Sequence, residues 1–172
     1  EMTIGGQRHV FVDLPGAVKE AFRRPPIGGV LKNPFPGPAK IYAGDLIEHN
    51  LGFADNSGGT IKVLKSYEVA KATTSASDTA IYITRDGYHH IPFVGDKLGV
   101  ASATIGGDIT TNAVVTAVES TVESGKDVWK LAFASALTGA AAGNILVEVD
   151  ADNKMLVKDV NAVIDADCDM FN

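Results

Sequence analysis

The chain has 172 residues, 45% of them hydrophobic and 21% charged, enough apolar material for a packed core and too much for a disordered chain. A net charge of −6 argues against a nucleic-acid binder, and the single Cys168 excludes an internal disulfide and any multi-cysteine metal site. No apolar run approaches the ~20 residues that span a membrane as a helix, and no signal-peptide pattern opens the chain. The first residue is Glu1 rather than Met, the expected mark of a processed, trimmed or incomplete start.

Residues 1–38 read as an extended arm. Six of the seven prolines lie there, and a stretch such as RRPPIGGVLKNPFPGP suits neither a regular helix nor a central strand, because proline lacks the N–H and restricts its predecessor. One short helix is expected at 15–22, with Pro15 in the first turn. The arm carries Val10, Phe11, Leu14, Val18, Phe22, Ile27, Leu31 and Phe35, more apolar surface than a solubilising tail needs, so it is expected to lie on its own domain or on a neighbour. Within it, Phe22, Arg23, Arg24, Ile27 and Phe35 are the candidate partner-docking residues. Arginine makes bidentate contacts with carboxylates, and a proline-stiffened segment loses less entropy on docking.

From residue 39 the pattern is β. IYAGDLIEH, TIKVLKSYEV, DTAIYITR, NAVVTAVES, DVWKLAF and NILVEV are short runs rich in Val, Ile, Thr and aromatic residues, separated by turn signals such as Asp86-Gly87, Ser124-Gly125 and Asp152-Asn153. In DTAIYITR, Ile81 and Ile83 alternate with Ala80, Tyr82 and Thr84, the period of a half-buried strand. Ser135–Ala142, interrupted by Gly139, is expected to be a turn or loop rather than a long helix. The expected fold is mainly β: a small barrel or sandwich of short antiparallel strands over residues 39–149. An acidic segment, 150–172, is expected to pack on that domain or on a neighbouring subunit. Residues 1–40 hold six basic and three acidic groups and residues 138–172 two and seven, a polarity that favours arm-to-neighbour contacts.

A short pattern recurs three times: Ala43-Gly44-Asp45-Leu46, Val94-Gly95-Asp96-Lys97-Leu98 and Ala142-Gly143-Asn144-Ile145-Leu146, with glycines 51 and 48 residues apart. Glycine supplies positive φ and the Asx side chain caps the backbone, so each predicts a turn feeding a strand. Three of them suggest repeated strand–turn units, although a Gly-rich β chain also produces such matches by chance.

Chemistry-bearing constellations are sparse. His89 and His90 face opposite ways on an extended segment, and no spacing ties either of them to His9 or His49 as a metal site. There is no G-x-S-x-G elbow, no S-x-x-K and no phosphate-binding glycine loop. Cys168 lies between two aspartates, which raise a thiol pKa. Asp165-x-Asp167-x-Asp169 resembles the opening of a calcium loop but lacks its glycine and distal Glu, and together with Asp150-x-Asp152-Asn153 it reads as an acidic tail and an acidic turn. No catalytic, cofactor or metal residue is assigned, and the expectation is a non-enzymatic protein without a cofactor.

AKIYAGDLIEHN, SYEVAKATTSASDTAIYITRDG and HHIPFVGDKLGVA, through Gly44-Asp45, Ser75 to Thr79 and His90 to Asp96, resemble the head-decoration and head-fibre proteins of tailed phages over about residues 39–149. The resemblance implies a mostly-β domain on the capsid exterior of a virion, held by an N-terminal segment to the major capsid protein or another virion protein. It further implies a homo-oligomer, dimer or trimer, and carries no catalytic residues; the charge balance and the lack of a long apolar run add the expectation of no nucleic-acid partner and no membrane. The alternative is a β module binding glycan or a host surface through Tyr67, Tyr82, Tyr88 and Trp129, with His89 or His90 beside them. A small hydrolase built on a carboxylate pair stands third.

Overall fold

The computed structural model describes residues 3–4, 7–8, 30–33, 35, 39–50, 59–72, 79–87, 89–164 and 168–170. Among these the fold is all strand, with no helix. The strands are β1 (Thr3–Ile4), β2 (Gln7–Arg8), β3 (Val30–Leu31), β4 (Ala39–Ile41), β5 (Leu46–His49), β6 (Thr60–Val63), β7 (Ser66–Ala72), β8 (Ala80–Thr84), β9 (Lys97–Val100), β10 (Asn112–Glu123), β11 (Lys126–Phe133), β12 (Ile145–Glu148), β13 (Ala162–Val163) and β14 (Cys168–Met170). They form two compact units: residues 1–64 with 159–172, and residues 65–158.

The second unit is a closed barrel in the order β10-β11-β8-β7-β12-β9, every pairing antiparallel. Closure removes the exposed strand edges that an open sheet would present. The alternation expected for β8 holds: Ile81 and Ile83 are buried while Ala80, Tyr82 and Thr84 are half-exposed. Tyr67, Val69, Leu98, Val115, Leu131, Phe133 and Leu146 complete the filling, with Leu137 packed on them from the loop before β12. Burying each large apolar side chain contributes about 1.5–3 kcal/mol. β10 and β11 form a long hairpin through Ser124-Gly125, both at positive φ, which suits the tight primed turn that follows strand twist. In β9, Gly99 is obligatory for space, because a Cβ there would run into the Ile109 side chain and the Thr111 carbonyl. The segment Ser135–Ala142 is turn and loop, as its Gly139 implies.

The first unit holds a four-stranded sheet, β13-β5-β6-β3, in which only the β3–β6 pairing is parallel. Its core is small: Ile41, Ile47, Ile61, Val63, Ala162 and Ile164, with Leu31 and Phe35 packed against it. Both edge strands are two residues long, and asparagine side chains extend them. After β3, Asn33 donates to the Val63 carbonyl at 2.8 Å and accepts the Val63 N–H at 2.7 Å. Before β13, Asn161 does the same to His49, at 2.9 and 3.0 Å. Each amide thus replaces one backbone partner of a ladder. Two further pairs, β4–β14 and β1–β2, are antiparallel.

Two runs read as single strands are each divided. IYAGDLIEH breaks at Ala43-Gly44 between β4 and β5, and TIKVLKSYEV breaks at Leu64-Lys65 between β6 and β7. The expected helix at 15–22 lies outside the described residues. The units divide at 64/65 and 158/159, whereas the sequence suggested segments 1–38, 39–149 and 150–172. The described part of the proline-rich stretch, Val30–Leu31 and Phe35, belongs to the first unit's sheet and core, and so does Ala162–Ile164 from the acidic segment.

Candidate functional site

The recurring Gly-Asx pattern is one structural device used three times. In each copy the N–H of the Asx residue bonds the carbonyl three residues earlier: Asp45 to Tyr42 at 3.1 Å, Asp96 to Phe93 at 3.1 Å and Asn144 to Ala141 at 3.0 Å. The glycine at the third turn position has φ of 96° at Gly44, 103° at Gly95 and 84° at Gly143. This is the left-handed conformation that a type II turn requires there and that L side chains avoid. The Asx side chain closes the loop by accepting the N–H of the first turn residue, at 2.7 Å for Tyr42, 3.1 Å for Phe93 and 2.7 Å for Ala141.

Every copy also docks on a single residue from a neighbouring segment. Ile164, Val115 and Val69 each accept the turn glycine's N–H and donate their own N–H to the Asx carbonyl, over 2.7–2.9 Å. All three docking residues are buried. In each copy a strand starts two residues after the glycine. The turn chemistry was visible in the sequence; the docking residues, distant along the chain, were not.

The second copy differs in one respect: its acid is buried. Asp96 is 2% exposed and Lys65 0% exposed, and the Lys65 Nζ lies 3.1 Å from Asp96 Oδ2 and 2.9 Å from Glu148 Oε1. The three groups meet at one end of the barrel, ahead of β7, ahead of β9 and at the close of β12. Burial pushes the Asp96 carboxyl up, while the Lys65 ammonium and the Phe93 N–H pull it down. Tyr67, in β7, has its hydroxyl raised far above its ordinary value by burial and then by the nearby Asp96 and Glu148 carboxylates. The Tyr67 hydroxyl and Asp96 Oδ1 are the two buried side-chain polar atoms without a hydrogen-bond partner among the described residues. An amine held between two carboxyls in a dry site has the parts for proton transfer and acyl chemistry, closed off from bulk solvent.

Outside the barrel, Arg85 stacks over the Trp129 ring at 4.8 Å and bonds the Ser120 hydroxyl at 2.5 Å. Lys71 lies over Tyr82 at 5.5 Å and pairs with Glu123 at 2.7 Å. Beside them runs an open groove of about 550 Å³, lined by Glu68, Lys71, Glu123, Lys126 and Asp127 among others.

Of the candidate docking residues, Phe22, Arg23, Arg24 and Ile27 lie outside the described residues. Phe35 is half-buried against the first unit's core. Among the aromatic residues weighed for sugar stacking, Tyr67 is 1% exposed and presents no ring to a ligand, and Tyr88 is outside the described residues. His90 is buried, while half-exposed His89 holds Asp86 at 2.8 Å. No cluster of three metal-ligating side chains occurs among the described residues. The acidic turn is self-consuming: Asp150 Oδ1 accepts the N–H of Asp152 at 2.9 Å and of Lys154 at 3.0 Å, and Oδ2 meets Lys158 at 2.9 Å. Asp165 and Asp167 lie outside the described residues, and Asp169 stands opposite Lys40 in β14.

No family model, curated protein or solved structure matches this chain. What remains is the chain's own sequence and geometry. Its best-built features are the triplicated turn and the buried lysine–carboxylate cluster, and only the first was foreshadowed by sequence. The second went unnoticed because a lysine in a strand-like run ordinarily reads as a solvated position. No helix among the described residues is long and apolar enough to cross a membrane.

Proposed function

We propose that the chain is a non-enzymatic structural protein of a virion, a decoration or head-fibre component on the capsid exterior. Its N-terminal segment holds it to the major capsid protein or another virion protein, and it acts as a homo-oligomer. One observation carries this proposal. The residues on which the resemblance to tailed-phage head proteins rests, Gly44-Asp45 and the stretch from His90 to Asp96, include two copies of the doubly docked turn. A closed barrel pinned by the Gly95 and Gly143 turns suits a rigid outward-facing head, whose attachment gains strength from many copies on a symmetric shell.

The anchoring residues are Phe22, Arg23 and Arg24 with Ile27. Phe35 is better assigned to the fold, since it packs on the chain's own core. The test is co-sedimentation of the full chain and of the variant Phe22→Ala/Arg23→Ala/Arg24→Ala with shells assembled from the cognate major capsid protein. The full chain is expected to pellet with the shells and the variant to remain in the supernatant. A full chain that stays in solution, or a variant that pellets undiminished, overturns the proposal. Glycan binding is the weaker reading because Tyr67 is enclosed and both Tyr82 and Trp129 already carry a cation on their rings.

A further inference from the structure

We propose that Lys65 and Asp96 join in an intramolecular isopeptide bond inside the barrel, with Glu148 moving the protons. The inference is independent of where the protein resides. It rests on three side chains from three separated segments converging where water is excluded: Lys65 and Asp96 side chains are 0% exposed and that of Glu148 is 7%. An ordinary ion pair accounts poorly for that arrangement. Desolvating an ammonium and carboxylates is expensive even when they are paired. Amide formation removes two of the three charges from the site.

The geometry suits the reaction. The Nζ lies 3.1 Å from Asp96 Oδ2, an oxygen bonded to the carboxyl carbon that the amine attacks. The Oδ2 atom also accepts the Phe93 N–H at 3.1 Å, a backbone donor aimed at the oxygen on which charge develops. The other oxygen, Oδ1, is buried without a partner and is free to depart. Glu148 Oε1, 2.9 Å from the Nζ, stands within general-base reach.

The neutral Lys65 amine attacks Cγ of the protonated Asp96 carboxyl, and an N–C bond forms. Glu148 takes a proton from the nitrogen and returns it to Oδ1. The C–O bond breaks and one water leaves. Glu148 ends as it began, and nothing is oxidised or reduced. Burial displaces Asp96 towards its protonated form, the form from which a carboxyl oxygen can leave as water. The comparison among turns supports the assignment. Asp45 and Asn144 serve the same turn geometry while partly exposed, so turn closure alone does not require the burial seen at Asp96.

The test is the intact mass of the denatured full-length chain, followed by peptide mapping. The expected mass is one water below that of the sequence, with a branched peptide linking the segments that contain Lys65 and Asp96. Lys65→Arg keeps the cation but not the nucleophile, and Glu148→Gln keeps the shape but not the proton carrier. Each is expected to restore the full mass. A native chain at its full sequence mass overturns the proposal whatever the variants do. So does a missing water that maps elsewhere, for instance to a succinimide at Asp86-Gly87.

Discussion

Gly95 and Val115 are joined by their main chains on both sides of one turn: the glycine N–H reaches the Val115 carbonyl at 2.8 Å, and the Val115 N–H reaches the carbonyl of the next residue, Asp96, at 2.8 Å. The same exchange ties Gly44 to Ile164 and Gly143 to Val69. Open space surrounds all three glycines, so a methyl group there meets no neighbour and only the backbone conformation resists it. Alanine at any one of them is expected to destabilise the fold by about 1–2 kcal/mol, the usual strain of an L residue in left-handed backbone. Chemical denaturation of the three single variants checks this, and a loss confined to one variant would mean that the turns are not equivalent.

The asparagine clamps predict an unequal pair. Asn33→Ala leaves the Val63 N–H and carbonyl without partners at a site 5% exposed, and about 1–3 kcal/mol is expected to be lost. Asn161→Ala frees the same groups on His49, where water replaces them, so the loss is expected to be smaller. Equal shifts in the urea midpoint would refute this ranking.

Tyr67→Phe is expected to leave stability unchanged or raise it. The ring fills the barrel core, but the hydroxyl is buried beside two carboxylates with no partner, so removing it relieves a desolvation penalty of about 1–3 kcal/mol. A clear fall in thermal midpoint would show that the hydroxyl is bonded after all.

Two groups contribute to the acid side of the stability curve in ways that substitutions can read. Burial pulls Asp150 upward, but hydrogen bonds from Lys158, Lys154 and Asp152 outweigh it and hold the carboxyl below its usual 3.8. Its folded pKa is depressed, so its contribution is complete above that value and disappears as pH falls through the folded pKa. His49 is lowered from 6.5 by burial. The unfolded chain therefore binds its proton first, and stability declines as pH falls below 6.5. Asp150→Asn is expected to flatten the unfolding profile below about pH 4, and His49→Gln to flatten it below about pH 6.5. A profile unchanged by either substitution would remove that group from the account.

Trp129 is the chain's single tryptophan and reports on its own stacking partner. Arg85→Ala is expected to shift Trp129 emission to the red as water reaches the ring, with a stability loss of about 0.5–1 kcal/mol. Unshifted emission would mean that the guanidinium does not cover the indole in solution.

What the sequence disclosed was local. The alternation in β8, the Ser124-Gly125 hairpin and the Gly-Asx turns each depend on neighbours a few residues apart, and each is present. What it hid was long-range or contrary to type. β3 and β13 are too short to show a period, and they exist because Ile61 and Ile47 offer them ladders. Nothing local marks Asn33 and Asn161 as substitute backbone, because their partners Val63 and His49 lie far along the chain. Lys65 reads as solvated because its carboxylate partners lie in remote parts of the chain.

The barrel is an uninterrupted stretch of chain, 65–158, whereas the first unit is assembled from segments on both sides of it. A ribosome therefore finishes every barrel strand before it makes Ala162 and Val163, which complete the other sheet. A nascent chain halted after Lys158 holds all its barrel strands and a sheet with Ile47 still awaiting its edge partner. Vectorial synthesis thus makes β13 the last piece of that sheet to arrive, and places the sheet's window of greatest exposure to misassembly after the whole barrel has left the ribosome.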